Sequence, residues 1–293
     1  MKTVNSISGG KTSAYIAANY PADYNVFSLI TTRDKNCMFP DKKLRQIVSD
    51  KIGREFIGTL EMDDIIHTIL ELEQFIGKEI TWINKKDFED IIIRHKKNGE
   101  TKHYVPNVMR RICTSELKIT PMAEWLIKNI GEIAETRIGF RANETKRAVT
   151  MMKKLNTDGV MESKIIVGKH KNGNNKWKSF PYQIPKFPLI EDNIYKDKIE
   201  IFWQDKSVRF AYLNNCVGCF HRNPILLKHM SNTHSNKFDW FINMENKAIE
   251  SFNKSASWKA GQGPTYQQIK ESFTQMNLFD DDFDECDSGY CGL

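Results

Sequence analysis

Short apolar runs alternating with amphipathic stretches occupy the first half of this 293-residue chain. A run at 3–7 precedes a helical pattern from Thr12, a run at 25–30 precedes one that starts after Pro40-Asp41, and a run at 55–60 precedes one over 63–75. Parallel strands can be joined only through a crossover long enough to hold a helix, so this rhythm predicts β-α-β units. The expected fold class is α/β, a mainly parallel sheet with helices on both faces. Further along, 80–83 and 132–139 read as strands, 87–95 as a helix, and another helix ends in Trp125-Leu126-Ile127. Residues 163–171 and 176–182, joined by Asn172-Gly173-Asn174-Asn175, predict a β-hairpin. Segments 224–230, 238–252 and 266–273 read as helices. The expected organisation is an α/β domain over 1–160, a hairpin insertion over 161–190, a small helical cysteine-bearing region over 191–277, and a mobile acidic tail over 278–293.

The first strand runs directly into Ser8-Gly9-Gly10-Lys11-Thr12-Ser13. In open parallel sheets ligands bind beyond the carboxyl ends of the strands, where this segment falls. Two glycines without Cβ let backbone N–H groups approach an anion at a helix N-terminus, Lys11 adds a cation, and three hydroxyls can donate hydrogen bonds. An ordinary turn is the bland alternative. The G-x-x-x-x-G-K-[ST] phosphate loop is excluded, because its first glycine would fall at Asn5.

The net charge is +6, with basic stretches at 94–102 and 164–178 and an acidic run at 280–285. Solvated loops explain the basic stretches as well as a nucleic acid or a polyanionic nucleotide does. No apolar run reaches the ~20 residues that span a bilayer, and no basic-then-apolar leader opens the chain, so the expectation is a cytoplasmic protein without membrane contact. Six cysteines in such a chain point to metal, redox or nucleophilic use rather than a disulfide framework.

Cys216-Val217-Gly218-Cys219 is a C-x-x-C turn able to place two thiolates on one metal. Cys286 and Cys291 lie in the acidic tail and are open to three readings: nucleophile, metal ligand or remnant. Zinc held by Cys216, Cys219, Cys286 and Cys291 fits known ribbon spacings. Cys37 reads as buried filler, His95 and His103 as surface residues, and Phe238, Trp240 and Phe241 as core. Gly139-Phe140-Arg141-Ala142-Asn143-Glu144-Thr145-Lys146-Arg147 opens a helix with three cations. Arg141, Lys146 and Arg147 can grip phosphate or sulfate oxygens, and Glu144 can orient an arginine or cap the helix; a solvated basic helix start is the bland alternative.

Four ordered segments carry a family resemblance. SGGKTS resembles the SGGKDS/T signature of the PP-loop superfamily of ATP pyrophosphatases and phosphoadenylyl-sulfate (PAPS) reductases, with Thr12 in place of the usual Asp. Residues 32–43, TRDKNCMFPDKK, are similar to the D-T-G-x-x-F-P-E-T loop, and 111–121, RICTSELKITP, to R-x-C-T-x-x-L-K-x-x-P. GFRANETKRA resembles G-I-R-A-x-E-S-x-x-R-A, departing at Phe140 and Thr145. The tail resembles the E-C-G-L-H ending of PAPS reductases in two pieces, Glu285-Cys286 and Cys291-Gly292-Leu293.

The resemblance implies an adenine nucleotide α-hydrolase-like fold. Ser8, Gly9, Gly10, Lys11, Thr12, Ser13, Lys118, Arg141, Glu144 and Arg147 would bind an adenine nucleotide, either PAPS or ATP with Mg2+. Lys11 and Arg141 would assist catalysis, and Cys291 or Cys286 would attack the sulfuryl group, with a thioredoxin-like reductant. Cys113, Cys216 and Cys219 would hold a 4Fe-4S cluster, zinc being the alternative; His221, Cys286, Cys291 or an exogenous group would complete it. Thr12 weakens the case for ATP cleavage. Two other readings remain: an ATP-dependent sulfurtransferase that thiolates a nucleic-acid or small-molecule acceptor, and a non-catalytic binding module with a structural metal. A homo-oligomer is left open.

Overall fold

The computed structural model describes residues 1–96 and 98–272. The described residues form eight strands: β1 (Thr3–Ile7), β2 (Tyr24–Ser28), β3 (Ile80–Ile83), β4 (Ile93–His95), β5 (Thr101–His103), β6 (Ala134–Arg137), β7 (Met161–Lys169) and β8 (Asn175–Lys186). The chain groups into two compact units that are interleaved in sequence. One comprises Met1–Ser28, Asp64–Ile83 and Ile119–Phe210; the other comprises Leu29–Asp63, Asn84–Lys118 and the chain from Ala211.

The first unit is α/β. Its six-stranded sheet has the order β3-β2-β1-β6-β8-β7 and is parallel except for the antiparallel edge strand β7. The hairpin 161–186 forms, and its returning strand β8 is itself the fifth strand of the sheet, paired in parallel with β6 from Ala134↔Gln183 to Arg137↔Lys186. Successive residues of β1 point to opposite faces. Val4 packs in an apolar cluster with Val26, Ile83 and Ala134 of the sheet and Met122, Ala123 and Leu126 of the helix Thr120–Asn129. Asn5, on the other face, donates from its amide to the Tyr20 carbonyl that ends the helix Lys11–Asn19 and to Asn25 Oδ1. Helices therefore cover both faces. From β1 the chain runs outward to β2 and β3, then returns to β1's other side for β6 and β8, which makes the β1/β6 crevice the topological switch point.

The second unit is mainly helical, with Lys42–Ile52, Phe88–Ile92, Pro224–Thr233, Ser235–Ser251 and Tyr266–Glu271, and it contains the β4–β5 hairpin. Its core is aromatic: Phe88 meets Trp240 edge to face, and Trp258 and Tyr266 stack nearby. The Glu245 carboxylate accepts from the backbone N–H of Trp258 and of Tyr266, tying the helix Tyr266–Glu271 to Ser235–Ser251.

Two sequence expectations are corrected here. The run 55–60 is not a strand of the sheet; Gly58 instead bridges Thr32 and Met38, and a Cβ at Gly58 would fall 1.9 Å from the Cys37 carbonyl oxygen. A short buried apolar run with a glycine suits such a close backbone approach as well as it suits a strand. The expected helix 87–95 ends at Ile92, and Ile93–His95 turns into β4, paired with Thr101–His103. Among the described residues no helix is long and apolar enough to cross a membrane.

Candidate functional site

In the sheet unit, the segment Ser8 to Ser13 links β1 to the helix Lys11–Asn19 at the switch point. Gly9 has φ +83°, and a Cβ there would approach Ile65 Cγ2 to 2.7 Å, so both backbone conformation and space demand glycine. The Ser13 hydroxyl organises the turn. It accepts from the Ser8 N–H at 3.0 Å, lies 3.1 Å from the Ser8 hydroxyl, and donates to the Gly10 carbonyl at 3.1 Å. Gly10 caps the helix with no side-chain acceptor of its own, which leaves first-turn N–H groups oriented for an anion. Trp203 Nε1–H donates to the Lys11 carbonyl at 3.0 Å, and the Lys11 ammonium is paired with Glu200.

The segment after β6 meets this loop. Around Gly139, the position of a Cβ lies 3.4 Å from Thr12 Cγ2 and 3.6 Å from the Ser13 nitrogen. Two residues on, the backbone N–H of Arg141 donates to Glu144 Oε2 at 2.9 Å, and Arg141 Nε lies 3.2 Å from the same oxygen. Arg147 Nη1 binds Glu144 Oε1 at 2.5 Å, while its guanidinium sits 4.2 Å above the Phe140 ring, which stacks on Phe187. Glu144 thus fixes both guanidinium groups and offsets half their charge, so the trio keeps a net positive charge in a rigid arrangement. Ser8, Gly9, Gly10, Lys11, Thr12, Ser13, Arg141, Glu144 and Arg147 all belong to this unit.

Lys118 belongs to the other unit. It lies in a π-helical turn, Ser115–Ile119, and its ammonium is 3.0 Å from Glu61 Oε1. Glu61 is buried and Lys118 half-buried, and Glu61 Oε2 has no hydrogen-bond partner among the described residues. Lys118 and Glu61 line a cavity shared with Cys113, Cys216, Cys219 and His221. The C-x-x-C turn is closed by Cys219 N–H donating to the Cys216 carbonyl, and Val217 N–H donates to the Leu60 carbonyl. Gly218 packs flat on Phe241, where a Cβ would fall 2.3 Å from the ring, and the Gly218 carbonyl accepts from the Tyr266 hydroxyl. Burial, with Arg111 and Lys259 adding like charge, lowers His221 to about 4, so its imidazole is neutral near pH 7.

The donor chemistry of this cavity, three thiols and a neutral imidazole, suits a thiophilic metal group. Among the described residues, however, no three His, Cys, Asp or Glu side chains are gathered closely enough to form a metal-holding group. Cys286 and Cys291 lie outside the described residues. Cys37 is buried, and burial foremost, with Asp34 adding to it, pushes its thiol up to about 12, which fits an inert core position. Phe238, Trp240 and Phe241 are core residues.

Three participants carried no local sequence signal. Glu200 is 189 residues from the Lys11 it pairs with, Glu61 is 57 residues from Lys118, and Trp203 is 192 residues from the carbonyl it binds. Each becomes visible only when the chain is folded. Compared with protein-family models, with curated proteins and with solved structures, the chain matches none.

Proposed function

We propose that the protein carries out sulfur-group chemistry on an adenylyl nucleotide in the manner of a PAPS reductase, on an adenine nucleotide α-hydrolase-like fold. The observation that carries this reading is the meeting of two anion-suited segments at the switch point: the Ser8–Ser13 loop after β1 and the Arg141–Glu144–Arg147 trio after β6. Backbone N–H groups at the start of the helix Lys11–Asn19 would hold phosphate or sulfate oxygens, and Arg141 and Arg147 would offset the charge of the leaving bisphosphate. Lys11 would join them once its pairing with Glu200 is exchanged for the ligand.

The loop itself contains no carboxylate, Thr12 standing where an Asp would bind a metal. Sulfuryl transfer from PAPS, which needs no magnesium-bound pyrophosphate, fits that composition better than ATP cleavage. In the proposed step a tail thiolate, Cys291 or Cys286, forms an S–S bond to the sulfuryl sulfur. The sulfur–oxygen bond to the nucleotide breaks, and adenosine 3′,5′-bisphosphate leaves with the electron pair. A thioredoxin-like dithiol then releases sulfite, is itself oxidised to a disulfide, and returns the cysteine as a thiol. A 4Fe-4S cluster or zinc ion, if held by Cys113, Cys216 and Cys219 as thiolates, would supply a polarisable centre whose cationic core is offset by its ligands. Lys118, held by Glu61 on the wall of that cavity, contributes a fixed ammonium there.

A second reading, ATP-dependent thiolation of a nucleic-acid acceptor, is favoured by the exposed lysines 164, 169, 176 and 178 of the β7–β8 hairpin. The deciding experiment incubates anaerobically purified protein with PAPS or ATP and a dithiol reductant, then separates the nucleotide products by chromatography. Adenosine 3′,5′-bisphosphate with sulfite is the expected outcome. AMP with pyrophosphate would replace it with the thiolation reading, and no turnover of either nucleotide would favour a binding module. Iron, zinc and acid-labile sulfide measured on the same sample identify the metal group.

A further inference from the structure

A second cavity lies wholly within the helical unit, between the β4–β5 hairpin and the end of the helix Ser235–Ser251. It encloses about 410 Å³ and is lined by Arg94, Tyr104, Asn107, Arg110, Phe252 and Asn253, among others. That volume is in the range of sites that take one nucleotide-sized group.

Its wall is a ladder of rings and cations. The Arg94 guanidinium lies 4.8 Å from the Tyr104 ring centroid, Tyr104 and Phe252 rings are 4.7 Å apart, and Lys102 Nζ is 4.9 Å from the Phe252 ring. Phe252 is 42 % exposed, so one side of its ring is open to a ligand. Neither Arg94 nor Arg110 has a carboxylate partner among the described residues. Lys96 and Lys102 share the carboxylate of Glu100, and Glu250 lies near enough to act on His103.

Two amides complete the lining. Asn107 Oδ1 accepts from the backbone N–H of Met109 and Arg110, and Asn253 Oδ1 accepts from Ser255 N–H and its hydroxyl. With both oxygens engaged inward, each Nδ2 is left as a donor, and among the described residues neither has an acceptor.

We infer that this cavity binds an unpaired base of a single-stranded polynucleotide. The base stacks on the exposed Phe252–Tyr104 ladder, Asn107 and Asn253 donate to its ring acceptors, and Arg94 and Arg110 hold flanking phosphates. A duplex cannot be read this way, because its base faces are already covered by neighbouring pairs. The inference is independent of the sulfur chemistry.

The test is fluorescence anisotropy of the full-length protein with a labelled oligothymidylate of about 15 nucleotides, against a duplex of the same length, at roughly 50 and 200 mM salt. The single strand is expected to bind at least about tenfold more tightly than the duplex. Arg94→Ala with Arg110→Ala, both at exposed positions, should weaken it about tenfold or more and flatten the salt dependence by one to two phosphate contacts, at roughly 0.7 each. Phe252→Leu should cost about fivefold or more with little change in salt slope, since stacking rather than charge is lost. Lys153→Ala with Lys154→Ala, an equal charge change at exposed residues of the other unit, should leave affinity within about twofold. Absence of binding, equal binding of the duplex, or equal losses from the two double variants would overturn the proposal. Because Arg94 and Arg110 carry the decision, a misfolded Phe252 variant does not rescue it.

Discussion

In the sheet unit, the anion-suited loop is shaped by backbone. Gly9 and Gly10 remove Cβ atoms, a single hydroxyl from Ser13 sets the turn, and the charged side chains around it are partly exposed or paired within a few residues. In the helical unit, the cysteine cavity is shaped by side chains drawn from Ile30 to Trp258, and on its wall the buried Glu61 carboxylate is paired with Lys118. The stability of a backbone-shaped loop depends on conformation at one or two glycines more than on the exposed charges beside it. A side-chain site depends on every buried partner staying in place.

The largest expected difference is between the two lysine–glutamate pairs. Lys118→Met strands a buried carboxylate and should cost about 3–5 kcal/mol in chemical denaturation, most of it recovered when Glu61→Gln is added. Lys11→Met, at a pair in which both side chains are more than one-third exposed, should change stability by less than about 1 kcal/mol. Equal costs would break the comparison.

Glycine substitutions give the next contrast. Gly218→Ala forces Phe241 to move and should cost about 1–3 kcal/mol, read by chemical denaturation; the metal group proposed for this cavity should be lost with it, read by metal analysis. Gly9→Ala meets both the left-handed conformation and Ile65; about 1–2 kcal/mol is expected for the conformation, with weakened nucleotide binding. Smaller still, Glu200→Gln releases Lys11 and should tighten adenosine 3′,5′-bisphosphate by about twofold to fivefold in a titration.

The smallest effect is a pH dependence confined to the helical unit. Burial raises the Glu245 carboxyl above its ordinary value, outweighing the two N–H groups that favour its charge. A folded-state pKa above the unfolded one means stability that is present below the unfolded value and lost as pH rises through the folded value. Thermal melts from pH 4 upward, on about a one-unit grid, should show this loss in the wild type, and Glu245→Gln should remove it.

The parallel sheet was readable because strand and helix periods alternate, and β1 and β3 fall at the expected 3–7 and 80–83. The connection from β1 to the helix Lys11–Asn19 was readable for a related reason: a glycine pair just after a strand marks a tight turn. The run 55–60 misled because a short, mostly buried stretch with Phe56, Ile57 and Leu60 is compatible with a strand and with the irregular approach that Gly58 makes to Cys37. The start of β4 was hidden because residues 87–95 keep helical spacing until the hairpin pairing with Thr101–His103 overrides it. Glu200 and Glu61 could not be found locally, since a paired carboxylate acquires its meaning from a lysine distant in sequence.

The most direct measurement is calorimetric titration of adenosine 3′,5′-bisphosphate into the anaerobic wild type and into Arg147→Met, which keeps an apolar stem over Phe140 and deletes the charge. The expected result is saturable binding to the wild type, weakened about tenfold or more in the variant, as for a lost charge-assisted hydrogen bond. Failure of the wild type to bind, or equal affinity in both proteins, would contradict the assignment of the β1/β6 crevice as the nucleotide site.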